Sequence, residues 1–195
     1  MTSNKSPLSP EKFLHRFTLI IGEVNTGKTT LTQKILDAFF QVGEGRTAVV
    51  DLAPDIGPSD LKGRTAGIGG TLKATWHDRV RYYHCPIHAP RLQGKDELEA
   101  LRLAEKNARL IESLFEQALG EEVDALFVND CSLYLQSGEP EKLIRWIDSA
   151  ETAIVNGYDG KSLGPGILST RERAGMADLI NHCDRLIRLT KKYDK

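Results

Sequence analysis

Cysteine, tryptophan and net charge are all scarce in this chain of 195 residues. The three cysteines, Cys85, Cys131 and Cys183, are odd in number and far apart. That argues against a disulfide framework and suits a reducing compartment, with Cys131 and Cys183 read as small buried apolar residues. No apolar run reaches the ~18 residues that a membrane-spanning helix needs. Residues 1 to 12 are polar and rich in Pro and Ser rather than leader-like, so the chain is expected to be soluble and cytoplasmic, with no membrane partner. A formal net charge of -1 gives no global pull toward nucleic acid. Nucleic acid therefore needs a local basic groove to be a partner, and Trp76 and Trp146 are too far apart to form a stacking platform. What the chain does have is 40% hydrophobic content, enough for one compact domain over residues 1–195.

The most informative stretch is Gly22-Glu23-Val24-Asn25-Thr26-Gly27-Lys28-Thr29, followed by Thr30. It fits G-x-x-x-x-G-K-[ST], in which backbone N–H groups cradle phosphates, the lysine reaches the β- and γ-phosphates and the hydroxyl meets Mg²⁺. Its setting agrees with that chemistry. Arg16 to Ile21 is an apolar, β-branched run of strand length, and Leu31, Ile35, Leu36, Phe39 and Phe40 recur at helical spacing until Gly43 and Gly45. Strand, glycine loop and helix aim a helix N-terminus at the anion. The expected ligands are Mg²⁺ and a nucleoside triphosphate, with ATP favoured and GTP possible.

Further along, strands are expected at Arg46 to Leu52, Arg79 to Cys85, Val123 to Val128, Thr152 to Val155 (entering an Asn156-Gly157 turn) and Arg185 to Leu189. Helices are expected at Asp96 to Leu119, Glu139 to Ser149 and Arg171 to Asn181. Regular alternation of this kind predicts a three-layer α/β P-loop NTPase domain with a mostly parallel central sheet. Residues 1–15 read as a loose lead-in. Residues 53–71 contain Pro54, Gly57, Pro58, Gly63, Gly67, Gly69 and Gly70 without any period, and a loop so long is expected to be mobile and functional. It leaves the carboxyl end of a strand, where ligands bind in open α/β sheets.

A phosphate loop calls for a further carboxylate at a neighbouring strand end to complete the metal shell. Asp51 and Asp130 both stand at such ends, so the expected metal-directing set is Thr29, Asp51 and Asp130, and the expected catalytic set is Lys28, Asp51 and Asp130. Val50-Asp51-Leu52-Ala53-Pro54-Asp55-Ile56-Gly57-Pro58-Ser59-Asp60 resembles the D-x-D-x-G-Q-S segment of the RNA 5′-hydroxyl polynucleotide kinases, a branch of the SIMIBI class of P-loop NTPases. Phe127-Val128-Asn129-Asp130 is similar to that family's later V-N-T strand end. The resemblance implies that Asp51 is a metal or general-base carboxylate and that the loop to Gly70 holds the phosphate acceptor.

Asn156-Gly157-Tyr158-Asp159 has the N-x-x-D spacing that translation-type GTPases use, which places Asn156 among the expected nucleotide contacts and keeps a guanine edge in play at Asp159. Arg171 and Arg173 open a helix after a flexible segment and are candidates for an arginine arriving over the phosphates. His84, Cys85 and His88 lack the fourth ligand of a zinc site and read as strand-end packing. Two functions follow. One is an enzyme, an NTPase or small kinase passing the γ-phosphoryl group to water or an acceptor. The other is a nucleotide-dependent switch whose 53–71 loop engages a protein partner.

Overall fold

The computed structural model describes residues 9–42, 45–54, 70–73 and 79–190. Six strands, β1 (Phe17–Gly22), β2 (Thr47–Asp51), β3 (Val80–His84), β4 (Ala125–Asn129), β5 (Thr152–Tyr158) and β6 (Arg185–Leu189), form one sheet in the order β3-β2-β4-β5-β1-β6. Every pairing is parallel.

The central strands read as continuous apolar runs because helices bury both faces of the sheet. Alternation decides which helix each side chain meets. Leu19, Ile21, Ala48, Val50, Leu126, Val128, Ala153 and Val155 share one core with Ile111 and Phe115 of α3 (Glu97–Ala118). That core continues into α4 (Ser132–Leu135), α5 (Pro140–Ile147) and α6 (Ile167–His182). Ile20, Val49, Phe127 and Ile154 point the other way, toward Ile35, Leu36 and Phe39 of α1 (Lys28–Val42). The result is three layers, helices on sheet on helices.

The sequence expectation departs from the structure in four places. The lead-in is not wholly loose: Pro10–Phe13 forms a 3₁₀ turn, and the buried Phe13 ring packs on the α1 face with the Arg185 guanidinium 4.8 Å above it. Asn156 and Gly157 do not turn the chain but lie inside β5, because parallel pairing with β1 continues to Tyr158. Helix α6 starts at Ile167, four residues before Arg171. Two one-turn helices, α2 (Pro90–Gln93) and α4, are too short to leave a period in the sequence. The expected loop at 53–71 lies mostly outside the described residues, as does Trp76, so only Ala53, Pro54, Gly70 and Thr71 bear on that loop.

Candidate functional site

The loop between β1 and α1 takes its shape from two glycines that no other residue replaces freely. A Cβ on Gly22 meets the Leu189 carbonyl oxygen of β6 at 2.4 Å and Thr26 Oγ1 at 2.9 Å. Gly27 holds φ +91, a conformation that side chains disfavour. The turned backbone lets Lys28 Nζ donate to the carbonyls of Gly22 (3.1 Å) and Glu23 (2.8 Å). Burial lowers the Lys28 pKa, while the nearby charges of Asp130 and Glu23 oppose that shift and favour the ammonium. Thr26 Oγ1 donates to the Glu23 carbonyl, and the Glu23 carboxylate accepts from Lys161 N (2.6 Å) and Ser162 Oγ (2.5 Å). Those two hydrogen bonds hold the Glu23 carboxyl below its ordinary pKa.

Beyond the loop, a polar network crosses the carboxyl edge of the sheet. Thr29 Oγ1 donates to Asn129 Oδ1 (3.3 Å), and Asn129 Nδ2 donates to Asp51 Oδ1 (2.7 Å) and the Gly70 carbonyl (2.8 Å). Asn156 Nδ2 donates to Asn129 Oδ1 and Thr32 Oγ1, both at 2.9 Å, while its Oδ1 accepts from Asp130 N. The amide groups of both buried asparagines are therefore fully used, which fixes the positions of Thr29 and Asp130 relative to each other. Asp130 itself has φ 59, a left-handed conformation that Asp tolerates better than most residues. Burial raises its pKa, offset by the Ser132 hydroxyl at 2.5 Å and the Lys28 charge.

The two carboxylates expected to share a metal stand in different environments. Asp130 lines the cleft above the loop. Asp51 is fully buried, and both its oxygens are taken: Oδ1 by Ala53 N and Asn129 Nδ2, Oδ2 by Leu72 N and the Tyr82 hydroxyl. A single side chain, Asn129, lies between Asp51 and Thr29. Where the sequence suggested a direct metal or base carboxylate, the structure shows Asp51 accepting four hydrogen bonds that hold the frame around Asn129. The oxygen donors that remain, Thr29 and Asp130, are of the kind Mg²⁺ accepts when phosphate and water complete its shell. Among the described residues no group of three His, Cys, Asp or Glu is placed to hold a metal, and the His84 ring nitrogen Nδ1 sits 3.0 Å from the Asp51 carbonyl oxygen.

Asn156 lines the cleft, although its amide is committed within the network. Asp159 is paired with Arg188 of β6 rather than poised toward a base. Arg171 and Arg173 are exposed on α6 and do not line the cleft, so the arginine that lines it is neither of them. It is Arg91 of α2.

Arg91 was not legible as a site residue, nor were its partners. Its Nη2 donates to Glu172 and to Ser169 Oγ (3.2 Å), and Gln136 Nε2 donates to Glu172 Oε2 at 3.3 Å. The signal that could have found Glu172 is its place in Leu168, Glu172, Gly175, Met176 and Leu179, the buried stripe of α6. A carboxylate on such a stripe demands a buried partner. Burial raises the Glu172 pKa to about 7 against the opposing charge of Arg91. The raised value means that ionising Glu172 costs the folded state more than the unfolded one, so its contribution to stability is present below about pH 4.5 and is lost as pH rises toward 7. Unfolding free energies of wild type minus Glu172→Gln should accordingly fall across that window, by an amount of order 3 kcal/mol. A pH-independent difference in chemical denaturation would contradict this.

These elements converge on a cleft of about 490 Å³ lined by the phosphate loop on one side and by Arg91, Gln136 and Glu172 on the other. The domain is a three-layer α/β sandwich around an all-parallel sheet, with a glycine loop at the β1–α1 junction facing the cleft. No protein-family model matches the chain, and no curated protein matches it. Among solved structures, the flagellar accessory protein FlaH from Methanocaldococcus jannaschii is similar at 16% sequence identity and a TM-score of 0.43, over 93% of this chain and 75% of that one. No helix among the described residues is long and apolar enough to cross a membrane.

Proposed function

We propose that this protein binds a nucleoside triphosphate with Mg²⁺, ATP in preference to GTP, and hydrolyses it or transfers its γ-phosphoryl group, working in the cytoplasm. The supporting observation is the convergence of Lys28, Thr29 and Asp130 on one cleft at the N-terminus of α1. The loop amides and Lys28 hold the β- and γ-phosphates, and Thr29 with Asp130 holds the ion. A Mg²⁺ ion held there would supply neutralisation of the charge that develops in the transition state. Asn129 and Asn156 keep the two metal-side groups in register, and Asp51 acts behind them as a positioning residue.

Calorimetric titration tests this reading. Wild type is expected to bind ATP more tightly with Mg²⁺ than with EDTA, and Thr29→Ala to lose most of that difference while retaining binding in EDTA. Equal affinities with and without Mg²⁺ in wild type would contradict the metal assignment.

The second reading, a nucleotide-dependent switch, has its own observation. Segment 53–71 is tied at its described end to the site, through the Gly70 carbonyl on Asn129 and through Leu72 N on Asp51. A change at Thr29 would reach that segment through one asparagine, and a protein partner could then read its position. Tight triphosphate binding with little turnover would favour the switch. Appreciable turnover favours the enzyme.

A further inference from the structure

The cleft has more wall than a phosphate loop uses. Opposite Lys28 stand Arg91, Leu92, Leu133, Gln136 and Glu172, contributed by α2, α4, the residue after α4, and α6. Two of them are polar groups left incomplete: Gln136 and Glu172 are 1% and 2% exposed, and Gln136 Oε1 and Glu172 Oε1 have no hydrogen-bond partner among the described residues. A buried acceptor without a donor is costly, and such orphans in a native protein call for an explanation. Gln136 Oε1 can only accept, and Glu172 Oε1 accepts when the carboxyl is ionised, so a group carrying O–H or N–H complements both. Leu92 and Leu133 beside them supply the apolar surface typical of an organic-ligand site, where a few polar groups fix orientation.

Position then narrows the ligand's role. Asp130 feels the charges of Lys28 and Arg91, and Glu172 feels that of Asp130. Asp130 also follows β4 directly after Asn129, the partner of Thr29. The Arg91 wall thus shares one cleft with Lys28, Thr29 and Asp130, whereas the Glu23 carboxylate is committed to Lys161 and Ser162.

Resting on the nucleotide reading above, we infer that the Arg91–Gln136–Glu172 wall is a phosphoryl-acceptor subsite for a small organic molecule bearing a hydroxyl group, which makes the protein a small-molecule kinase. The acceptor hydroxyl donates to Glu172, whose carboxylate takes its proton. The acceptor oxygen forms a new bond to the γ-phosphorus, and the bond from that phosphorus to the β,γ-bridging oxygen breaks. Its electron pair leaves with the nucleoside diphosphate, and Glu172 later returns the proton to solvent. Arg91, which donates to Glu172 and lines the cleft, has further guanidinium donors in a fixed plane to offer the developing charge. With its pKa raised to about 7, Glu172 exchanges a proton readily near neutral pH.

The test uses the full chain with ATP and Mg²⁺ and follows products by phosphorus NMR, with glycerol, ribose, uridine, L-serine and a 5′-hydroxyl oligonucleotide as separate probes. A phosphate-ester resonance with at least one of the four small probes is expected. Glu172→Gln should lower ester formation by about a hundredfold or more, with ATP affinity by calorimetry within about threefold of wild type. Gln136→Leu, which keeps the carboxylate, should raise KM for the acceptor and leave KM for ATP unchanged, and a circular dichroism spectrum matching wild type certifies the fold of each variant. Inorganic phosphate as the product with every probe, an ester on the oligonucleotide alone, or undiminished ester formation in a folded Glu172→Gln overturns the acceptor subsite while leaving nucleotide binding intact. Failure of wild type to bind ATP would instead sink the nucleotide reading, and the subsite with it.

Discussion

Replacing Lys28 with alanine is expected to weaken triphosphate binding by about tenfold to a hundredfold, the range for one charged hydrogen bond, and to lower turnover by a further hundredfold to thousandfold. The side chain spans the loop from inside and now donates to the carbonyls of Gly22 and Glu23. A triphosphate offers better acceptors at the same place, so the ammonium exchanges two neutral partners for anionic ones. The effect on turnover exceeds that on binding because charge grows on the transferring group only in the transition state. Folding should be little affected, since the Gly22 carbonyl also accepts from Asp159 N (3.2 Å) and the Glu23 carbonyl from Thr26 Oγ1 (2.9 Å). A steady-state assay with a parallel thermal melt checks both halves, and Lys28→Arg separates charge from shape: a planar fork does not fit where a point charge sits. Turnover within a few fold of wild type in Lys28→Ala would contradict the role given to the loop.

Asp51→Asn is expected to act on stability rather than on a chemical step. Four donors surround the Asp51 carboxylate: Ala53 N, Asn129 Nδ2, Leu72 N and the Tyr82 hydroxyl. An amide supplies one oxygen in place of two and turns an NH₂ toward two of those donors. The tyrosine hydroxyl can rotate to accept, but a backbone N–H cannot. At least one buried donor is thus left without a partner, at a cost of about 2–4 kcal/mol once the lost charge is included. Chemical denaturation measures this directly. Asp130→Asn provides the contrast, because its side chain faces the cleft with only Ser132 Oγ as a short partner. That variant should fold normally and lose Mg²⁺ dependence. A stable Asp51→Asn protein with no turnover would restore Asp51 to the reacting groups.

Most of the fold could be read from the chain because parallel strands and their covering helices leave strong periods. β6 appears at Arg185–Leu189, the limits its apolar spacing indicates, and α3 ends at Ala118, two residues before Gly120. The shape of the β1–α1 loop was legible for a different reason: its glycines and lysine act through backbone conformation and one charge, both of which are local in sequence. Strand order was not legible, and it decides the fate of Asp51. A carboxylate at the end of the strand following α1 looks adjacent to the loop, whereas the order puts β4 next to β2, so that Asn129 stands between Asp51 and Thr29. Asn156 likewise resembled a turn residue because Asn-Gly favours turns in isolation, and the β1 pairing overrides that preference. Arg91 and Glu172 are 81 residues apart and meet only after α2 and α6 dock at the same end of the sheet. Nothing local marks Arg91. Glu172 was hidden between two arginines whose charges suggested a solvated face, although its spacing with Leu168 and Met176 placed it on the buried one.

The central claim, that the phosphates sit on the β1–α1 loop, is tested most directly by amide NMR of wild type titrated with Mg²⁺ and a non-hydrolysable ATP analogue. The predicted result is a saturable set of shifts concentrated on the backbone amides of Asn25, Gly27, Lys28 and Thr29, with Asn129 and Asp130 following through the Thr29 hydroxyl. Saturable binding that leaves those four amides unmoved while shifting residues elsewhere would contradict it.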